Sequence, residues 1–295
     1  MKDRKYTTVA TENYPLLLGS SRYKPRQLFA VGTLPASTCV GIAMVGTRRP
    51  GASAQELCRR LVRSLKGTQA VVVSGLAQGI DSYCHEAALE EGLPTIAVLA
   101  QGLDAPIEGS RGLLAKRIVA AGGALVSEYE GDFESRKGTF VRRNRLISGL
   151  CQATVVVQSK AQGGALITAD LCLKEQKTLY AIPGDYDSEV AAGPNSLLDR
   201  GLAKPVFTPE SLSQVLGLPK QGGLSLEELD ATGCHLSPEA TVLFKKVNGF
   251  RKTFTELQSE FDFNTNALLT ILTELEIAGL VHTEDNYQFH FNGAA

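Results

Sequence analysis

From residue 40 to residue 182, short apolar runs alternate with longer mixed stretches. Val40–Val45, Ala70–Ser74, Thr95–Leu99, Ala124–Ser127, Ala153–Val157 and Thr178–Ile182 are rich in Val and Ile and apolar at successive positions. They are predicted as strands buried on both faces. Helical spacing of apolar residues lies between them, at Ala52–Leu65, Ser82–Glu91, Leu113–Ala120 and Ala165–Lys174. Strand followed by helix, repeated, requires right-handed crossovers and a parallel sheet. The expected class is α/β, doubly wound, with helices on both faces of the sheet.

The pattern fails around residues 216–234, where GLPKQGGLSLEELDATGC combines Pro, paired Gly and a run of acids. A linker is predicted over 218–234, separating a domain at 1–217 from one at 235–292. In the second, Pro238–Asn248, Thr253–Phe261 and Asn264–Ala278 have helical spacing. Gly279 is expected to stop the third helix, and two strand-like runs then flank a polar turn. Three helices followed by a hairpin predict a small winged-helix domain.

Composition narrows the class further. A 295-residue chain with 43% hydrophobic residues can bury a substantial core. A net charge of -1 excludes a uniformly basic coat for nucleic acid, although it allows a local basic patch. No apolar run approaches the roughly 20 residues that span a bilayer. The start, MKDRKYTTVATENYPLLL, lacks the apolar core of a secretion signal, so a cytoplasmic location without membrane contact is expected. Cys39, Cys58, Cys84, Cys151, Cys172 and Cys234 never reach CxxC spacing. Buried reduced thiols are expected, with no metal site.

The glycines carry the chemistry. Gly46-Thr47-Arg48-Arg49-Pro50-Gly51 follows the first predicted strand, and Gly75-Leu76-Ala77-Gln78-Gly79 follows the second. Gly163-Gly164-Ala165-Leu166-Ile167-Thr168 opens a helix after the fifth, and Pro183-Gly184 follows the sixth. Ligands bind at the carboxyl ends of such strands. Glycines let backbone amides approach an anion, and a helix start adds partial positive charge. Several such loops on one sheet edge form a phosphate shelf, whereas any one alone is explained by a tight turn. GxGxxG and GxxxxGK[ST] are both absent from these loops, so neither a dinucleotide fold nor a P-loop nucleotidase is indicated.

Residues 136–145, RKGTFVRRNR, hold five cations in ten positions, and no Asp or Glu occurs from 136 to 169. Cations next to anion loops, with an aromatic ring at Phe140 or Tyr129, suit the phosphates and bases of a single nucleic-acid strand. A solvated helix start is the plainer account of the cations, and a core position the plainer account of Phe140.

Taken together, SGLAQGIDSYCHEAAL at 74–89, TIAVLAQGLD at 95–104, SEY at 127–129, FVRRNRLISGL at 140–150, GGALITA at 163–169, and IPG at 182–184 followed by GPNSLL resemble the DNA-processing protein A (DprA, or Smf) family. The resemblance covers roughly residues 14–207 in order. It implies a Rossmann-like domain that binds incoming single-stranded DNA in natural transformation, helps displace single-strand-binding protein, loads the RecA recombinase and forms a homodimer. It also implies a DNA site at Gly46, Thr47, Arg48, Gly75, Gly79, Lys137, Phe140, Arg143, Asn144, Arg145, Gly163, Gly164 and Thr168. Thr47 replaces the family's Ser, Gly163 replaces another, and Ala105 stands where the family has Tyr. About 40 residues precede the first predicted strand, too few for the N-terminal helical domain of many members.

The alternative is a nucleotide-hydrolysing enzyme of the related LOG type, which needs a carboxylate poised at the phosphate loop. Asp81, with His85 four positions on, and Glu128 are the candidates. Asp81 is expected to cap a helix, with His85 packing against it or pairing with it. A binding module without cofactor or catalytic residue is therefore preferred. The third helix of the C-terminal domain, NTNALLTILTELEIAG, lacks any cation. Residues 235–295 hold eight acids against four bases, so protein contact is expected there rather than duplex reading.

Overall fold

The consecutive aliphatic residues of the central strands are divided between two helical layers, which explains why no strand shows polar alternation. The computed structural model describes residues 6–15, 17–218, 236–247, 251–261, 263–278, 280–284 and 288–291. Two compact units result, Met1–Leu218 and Pro219–Ala295.

In the first unit the strands are β1 (Thr7–Val9), β2 (Leu28–Gly32), β3 (Val40–Gly46), β4 (Ala70–Ser74), β5 (Thr95–Val98), β6 (Ala124–Ser127), β7 (Ala153–Gln158), β8 (Thr178–Ala181) and β9 (Lys204–Pro205). The helices are α1 (Ala54–Arg63), α2 (Ile80–Glu90), α3 (Gly109–Ala120), α4 (Lys137–Leu150), α5 (Ala165–Lys174), α6 (Ala192–Asp199) and α7 (Leu212–Val215). One nine-stranded sheet has the order β1-β2-β6-β5-β4-β3-β7-β8-β9. Ile42 and Met44 of β3 pack with Val72, Val155 and the α1 and α2 residues Cys58, Leu61 and Cys84. Ala43 and Val45 face the other way, toward Leu146 and Ile147 of α4 and Ala169 of α5. Each strand thus serves two cores, and the α/β class with helices on both faces is borne out.

Two features depart from expectation. The sheet is parallel only from β3 through β9 and across to β6, because β1 and β2 add an antiparallel edge against β6. Residues 28–32 therefore join the sheet ahead of the first predicted strand. The cationic stretch does open a helix, as its plainer account expected, but the helix runs 14 residues, α4, from exposed Lys137 and Gly138 to five buried residues at its end. A buried arginine at a core-facing position hides its helical periodicity.

Cys58, Cys84, Cys151 and Cys172 are buried free thiols and Cys39 is half-buried, whereas Cys234 lies outside the described residues. Burial raises the Cys151 thiol well above its ordinary value, leaving it protonated and inert. No helix among the described residues is long and apolar enough to cross a membrane.

The second unit contains α8 (Pro238–Val247), β10 (Arg251–Thr253), α9 (Phe254–Glu260), α10 (Thr265–Ile277), β11 (Val281–Glu284) and β12 (Gln288–Phe291). Its strands pair antiparallel in the order β10-β12-β11 around Leu243, Phe244, Leu257, Leu272 and Phe291. Thr253 and Glu256 close a reciprocal capping box on α9, and Asn264 caps α10 through the Ala267 amide. Residues 219–234 of the linker predicted over 218–234, Gly279 and the turn at 285–287 lie outside the described residues.

Gly79 joins the β4 loop to α2 at φ +81° and ψ -132°, a region open essentially to glycine alone. A Cβ there would stand 2.5 Å from the Thr47 carbonyl oxygen, so the loops after β3 and β4 close only over a bare Cα. Gly92 also has positive φ, at +70°, but a Cβ there would meet nothing within 4 Å. Chemical denaturation should show Gly79→Ala costing about 3 kcal/mol and Gly92→Ala only about 1 kcal/mol. Equal costs would mean that the loop contact does not constrain the fold.

Candidate nucleic-acid interface

β3 is the point at which the winding of the sheet reverses. From it the chain steps outward through β4, β5 and β6, then returns through α4 to place β7 on the opposite side. Loops at the carboxyl ends diverge at such a point and leave a crevice. Here the crevice is a cavity of about 410 Å³. Gly46, Thr47 and Arg48 after β3 form one wall, and Gly163, Gly164 and Thr168 at the start of α5 form another. Phe140, Arg143 and Asn144 complete it from α4, where their spacing places them on one helix face.

The cavity suits an anion with an attached ring. α5 begins directly behind Gly163 and Gly164, so the positive end of its dipole faces the opening. The Thr47 hydroxyl accepts from the Arg49 amide at 3.2 Å and keeps its own proton to donate. Arg48 is exposed, with its guanidinium carbon 5.1 Å from the Phe140 ring centroid. That contact holds a mobile cation at the mouth and gives Phe140 a surface position rather than a core one.

Arg143 departs from the expected role of phosphate contact. It is only 4% exposed, and its Nη1 donates to the carbonyls of Gly75, at 2.6 Å, and Val98. Burial lowers its pKa to about 10, against the opposing pull of Asp81, so it stays charged at neutral pH. A Cβ on Gly75 would lie 2.5 Å from the guanidinium, so Gly75 is there to admit the arginine. Asp81 departs from its role as well. Its Oδ2 accepts from the Gly75 amide at 3.1 Å and the Ala77 amide at 3.4 Å, binding the β4–α2 loop instead of capping α2. Burial raises the Asp81 carboxyl above its ordinary value, with Arg143 opposing.

The remaining expected residues divide. Gly75 borders an adjoining pocket of about 260 Å³ with Arg48, Phe140 and Arg111. Gly79 borders a further one, again with Arg48. Lys137 is exposed on the first turn of α4 and lines none of the three. Arg145 leaves the cavity for the other flank of α4, where it binds the Tyr23 carbonyl and Glu128. Tyr129 stacks on Phe133 with centroids 4.5 Å apart, so one face of the ring is covered. Lys160 and Gln162 line the main cavity although neither was singled out, and Lys160 pairs with Glu189 at 2.6 Å. Their place directly after β7 was the available signal.

The fold and cavity define an α/β protein of the doubly wound class with a glycine-lined crevice at its switch point. The chain belongs to the DNA recombination-mediator protein A family, whose model matches residues 5–217, so the expected family is borne out. It is 35% identical over 202 residues to protein Smf of Escherichia coli, covering 68% of this chain and 54% of that protein. To DNA processing protein DprA of Bacillus subtilis it is 34% identical over 209 residues, 70% of each chain. The chain thus spans about half the length of the first relative and more of the second. The solved structure of DprA from Streptococcus pneumoniae aligns with TM-score 0.66 and 31% identity, over 72% of this chain and 74% of that one. The Helicobacter pylori protein, described for its single-stranded DNA binding mode, aligns with TM-score 0.64 and 30% identity, over 72% and 96%.

His85 is not paired with Asp81. Its Nδ1 lies 2.7 Å from Thr95 Oγ1, and that hydroxyl donates to the Val72 carbonyl at 2.8 Å. The hydroxyl must therefore accept from Nδ1–H, leaving Nε2 unprotonated and without a partner in the core. Burial, reinforced by Arg143, pushes the imidazole pKa down to about 3. A folded-state value below the ordinary value near 6.5 means that neutral His85 stabilises the fold fully above pH ~6.5. That contribution is lost as pH falls toward 3. Denaturation of wild type and His85→Gln between about pH 7 and pH 4.5 should show the wild type losing more stability. A constant difference between the two would place the imidazole in a wetter site.

Proposed function

We propose that this protein binds single-stranded DNA in recombination, acting in DNA uptake and natural transformation in the cytoplasm. In that role it protects incoming DNA, displaces single-strand-binding protein and loads the RecA recombinase. The observation that carries the reading is the 410 Å³ cavity at the sheet switch point, with Arg48 stacked on Phe140 at its mouth. Its glycines and helix start suit a backbone phosphate, and its exposed ring suits a base. The Helicobacter pylori relative, whose single-stranded DNA binding is described, supports the same reading. The site comprises Thr47, Arg48, Phe140, Asn144, Gly163, Gly164 and Thr168 at the cavity, with Lys137 beside it. Gly46, Gly75, Gly79 and Arg143 shape the loops that hold them.

The alternative, nucleotide hydrolysis, is less well supported: Asp81 lines the cavity, but its carboxylate already serves the β4–α2 loop. Glu128 is engaged by Arg142 and Arg145. Freed base after incubation with nucleoside monophosphates would reverse this preference. A homodimer would align two cavities into one track; light scattering showing only monomer, with and without DNA, counts against it. We read the second unit as a winged helix used for protein contact, because α10 carries Glu274 and Glu276 and no cation.

In titrations, single strands should bind more tightly than duplex, without sequence preference. Arg48→Ala and Lys137→Ala should each weaken binding alike for all sequences and flatten the salt dependence by about 0.7 per lost phosphate contact. Unchanged affinity in both variants would remove the site. Deleting residues 220–295 removes a segment with more acids than bases and should leave single-strand affinity intact or slightly improved at low salt. A folded truncation that loses more than about tenfold, roughly 1.4 kcal/mol, would make the second unit part of the DNA site.

A further inference from the structure

A second concave site lies on the opposite flank of α4. It encloses about 380 Å³ and is lined by Tyr23, Lys24, Arg26, Glu128, Arg142 and Arg145. Four cations face one carboxylate. Glu128 is already engaged through Oε2 by Arg145 and by Arg142, the latter at 3.3 Å. Lys24 donates only to the Gly19 carbonyl, at 3.2 Å, and Arg26 has no ion-pair partner among the described residues. Among the described residues the site therefore carries a positive excess, four cations to one carboxylate. A concave surface of that sign raises the local concentration of anions.

The position of the site says which anion. Phe140, Val141 and Asn144 of α4 line the first cavity, while Arg142 and Arg145 of the same helix line the second. Only the width of a helix, about 10 Å, separates them. The surface between is open: Val141 and Arg142 are exposed, and a Cβ built on Gly138 would meet nothing within 4 Å. Tyr23, half-buried at the rim, offers a ring to an unstacked base.

We propose that the Lys24–Arg26–Arg142 cavity is a second phosphodiester subsite, taken by the same single strand after it leaves the first cavity and crosses the exposed side of α4. The inference rests on the DNA-binding reading and extends it. Arg145, placed away from the first cavity, acts here by holding Glu128 against the wall, so that the exposed Arg142 can exchange its longer 3.3 Å contact with Glu128 for one with the strand. Free phosphate shares the chemistry but cannot bridge the two cavities, so dependence on strand length separates the two sources.

The test uses the full chain and the triple variant Lys24→Ala/Arg26→Ala/Arg142→Ala. All three residues are exposed, and Arg145 remains to balance Glu128, so the variant should fold with an unchanged circular dichroism spectrum. Oligothymidylates of about 4 and about 16 nucleotides are titrated by fluorescence anisotropy at two salt concentrations. The longer strand should bind the variant about tenfold more weakly, with the salt slope reduced by about 2, and the shorter strand should bind within about twofold of wild type. Equal losses on both strands, or no loss on the longer one, overturn the second subsite. So does inorganic phosphate that competes equally against both lengths. If Arg48→Ala weakens both strands while the triple variant weakens neither, only the second subsite fails. Wild-type protein that binds neither strand removes the DNA-binding reading itself.

Discussion

A buried guanidinium fixes the geometry on which the site depends. Arg143 reaches from α4 through the sheet edge to the carbonyls of Gly75 and Val98, joining the helix to the carboxyl ends of β4 and β5. Asp81 completes the arrangement by taking the amides of Gly75 and Ala77. Main-chain groups that would otherwise lie unsatisfied at the sheet edge thus find side-chain partners. A buried charge is costly unless hydrogen-bonded, and here the main-chain carbonyls hold Arg143 while the amides hold Asp81, with the charge of each favouring that of the other. The loop after β4 can therefore be glycine-rich, with Leu76 buried at φ +55°, and still be rigid.

From that constraint follows the placement of everything α4 carries. With Arg143 fixed, Phe140 and Asn144 must face the crevice left by the reversal at β3, and Arg142 and Arg145 must face away from it. The cationic stretch is thus distributed around a cylinder rather than spread along a line. One residue is buried, two turn to Glu128, and Arg136 and Lys137 stay at the exposed start of the helix. A row of cations in sequence becomes two separate positive surfaces in space.

The central strands were legible because burial on both faces leaves uninterrupted aliphatic runs, and β4 and β6 have the predicted limits. The glycine loops were legible for a related reason, since β3, β4 and β7 all end at the same edge. The antiparallel edge was not, because β1 and β2 are short and β1 is mostly exposed, so neither has a strong period. The divided fate of Arg143 and Arg145 was not legible either. Composition treats the two as equal cations, and only the helical phase of α4, set by Leu146 and Leu150 against the core, separates them. Asp81 and His85 illustrate the same limit: spacing put them on one helix face, but Thr95 on β5 and the Gly75 amide offered each a nearer partner.

The near-zero net charge follows from the same spatial division. Residues 1–234 hold 26 Lys or Arg against 23 Asp or Glu, a small excess that would steer nothing if it were spread evenly. Instead, acids on α1, α2 and the following turn pair with local bases, as Glu90 does with Arg59 and Glu91 with Arg63. These pairs cancel within a few ångströms, far inside the screening length of about 8 Å at physiological salt. The stretch from 136 to 169 contains no acid of its own; Glu128, just after β6, reaches Arg142 and Arg145, and Glu189 reaches Lys160. A field that a net charge of -1 conceals is thereby concentrated at one end of the sheet, where the glycine loops and the start of α5 already present donors. Electrostatic attraction and hydrogen-bond capacity coincide because both are anchored to the carboxyl edge around β3.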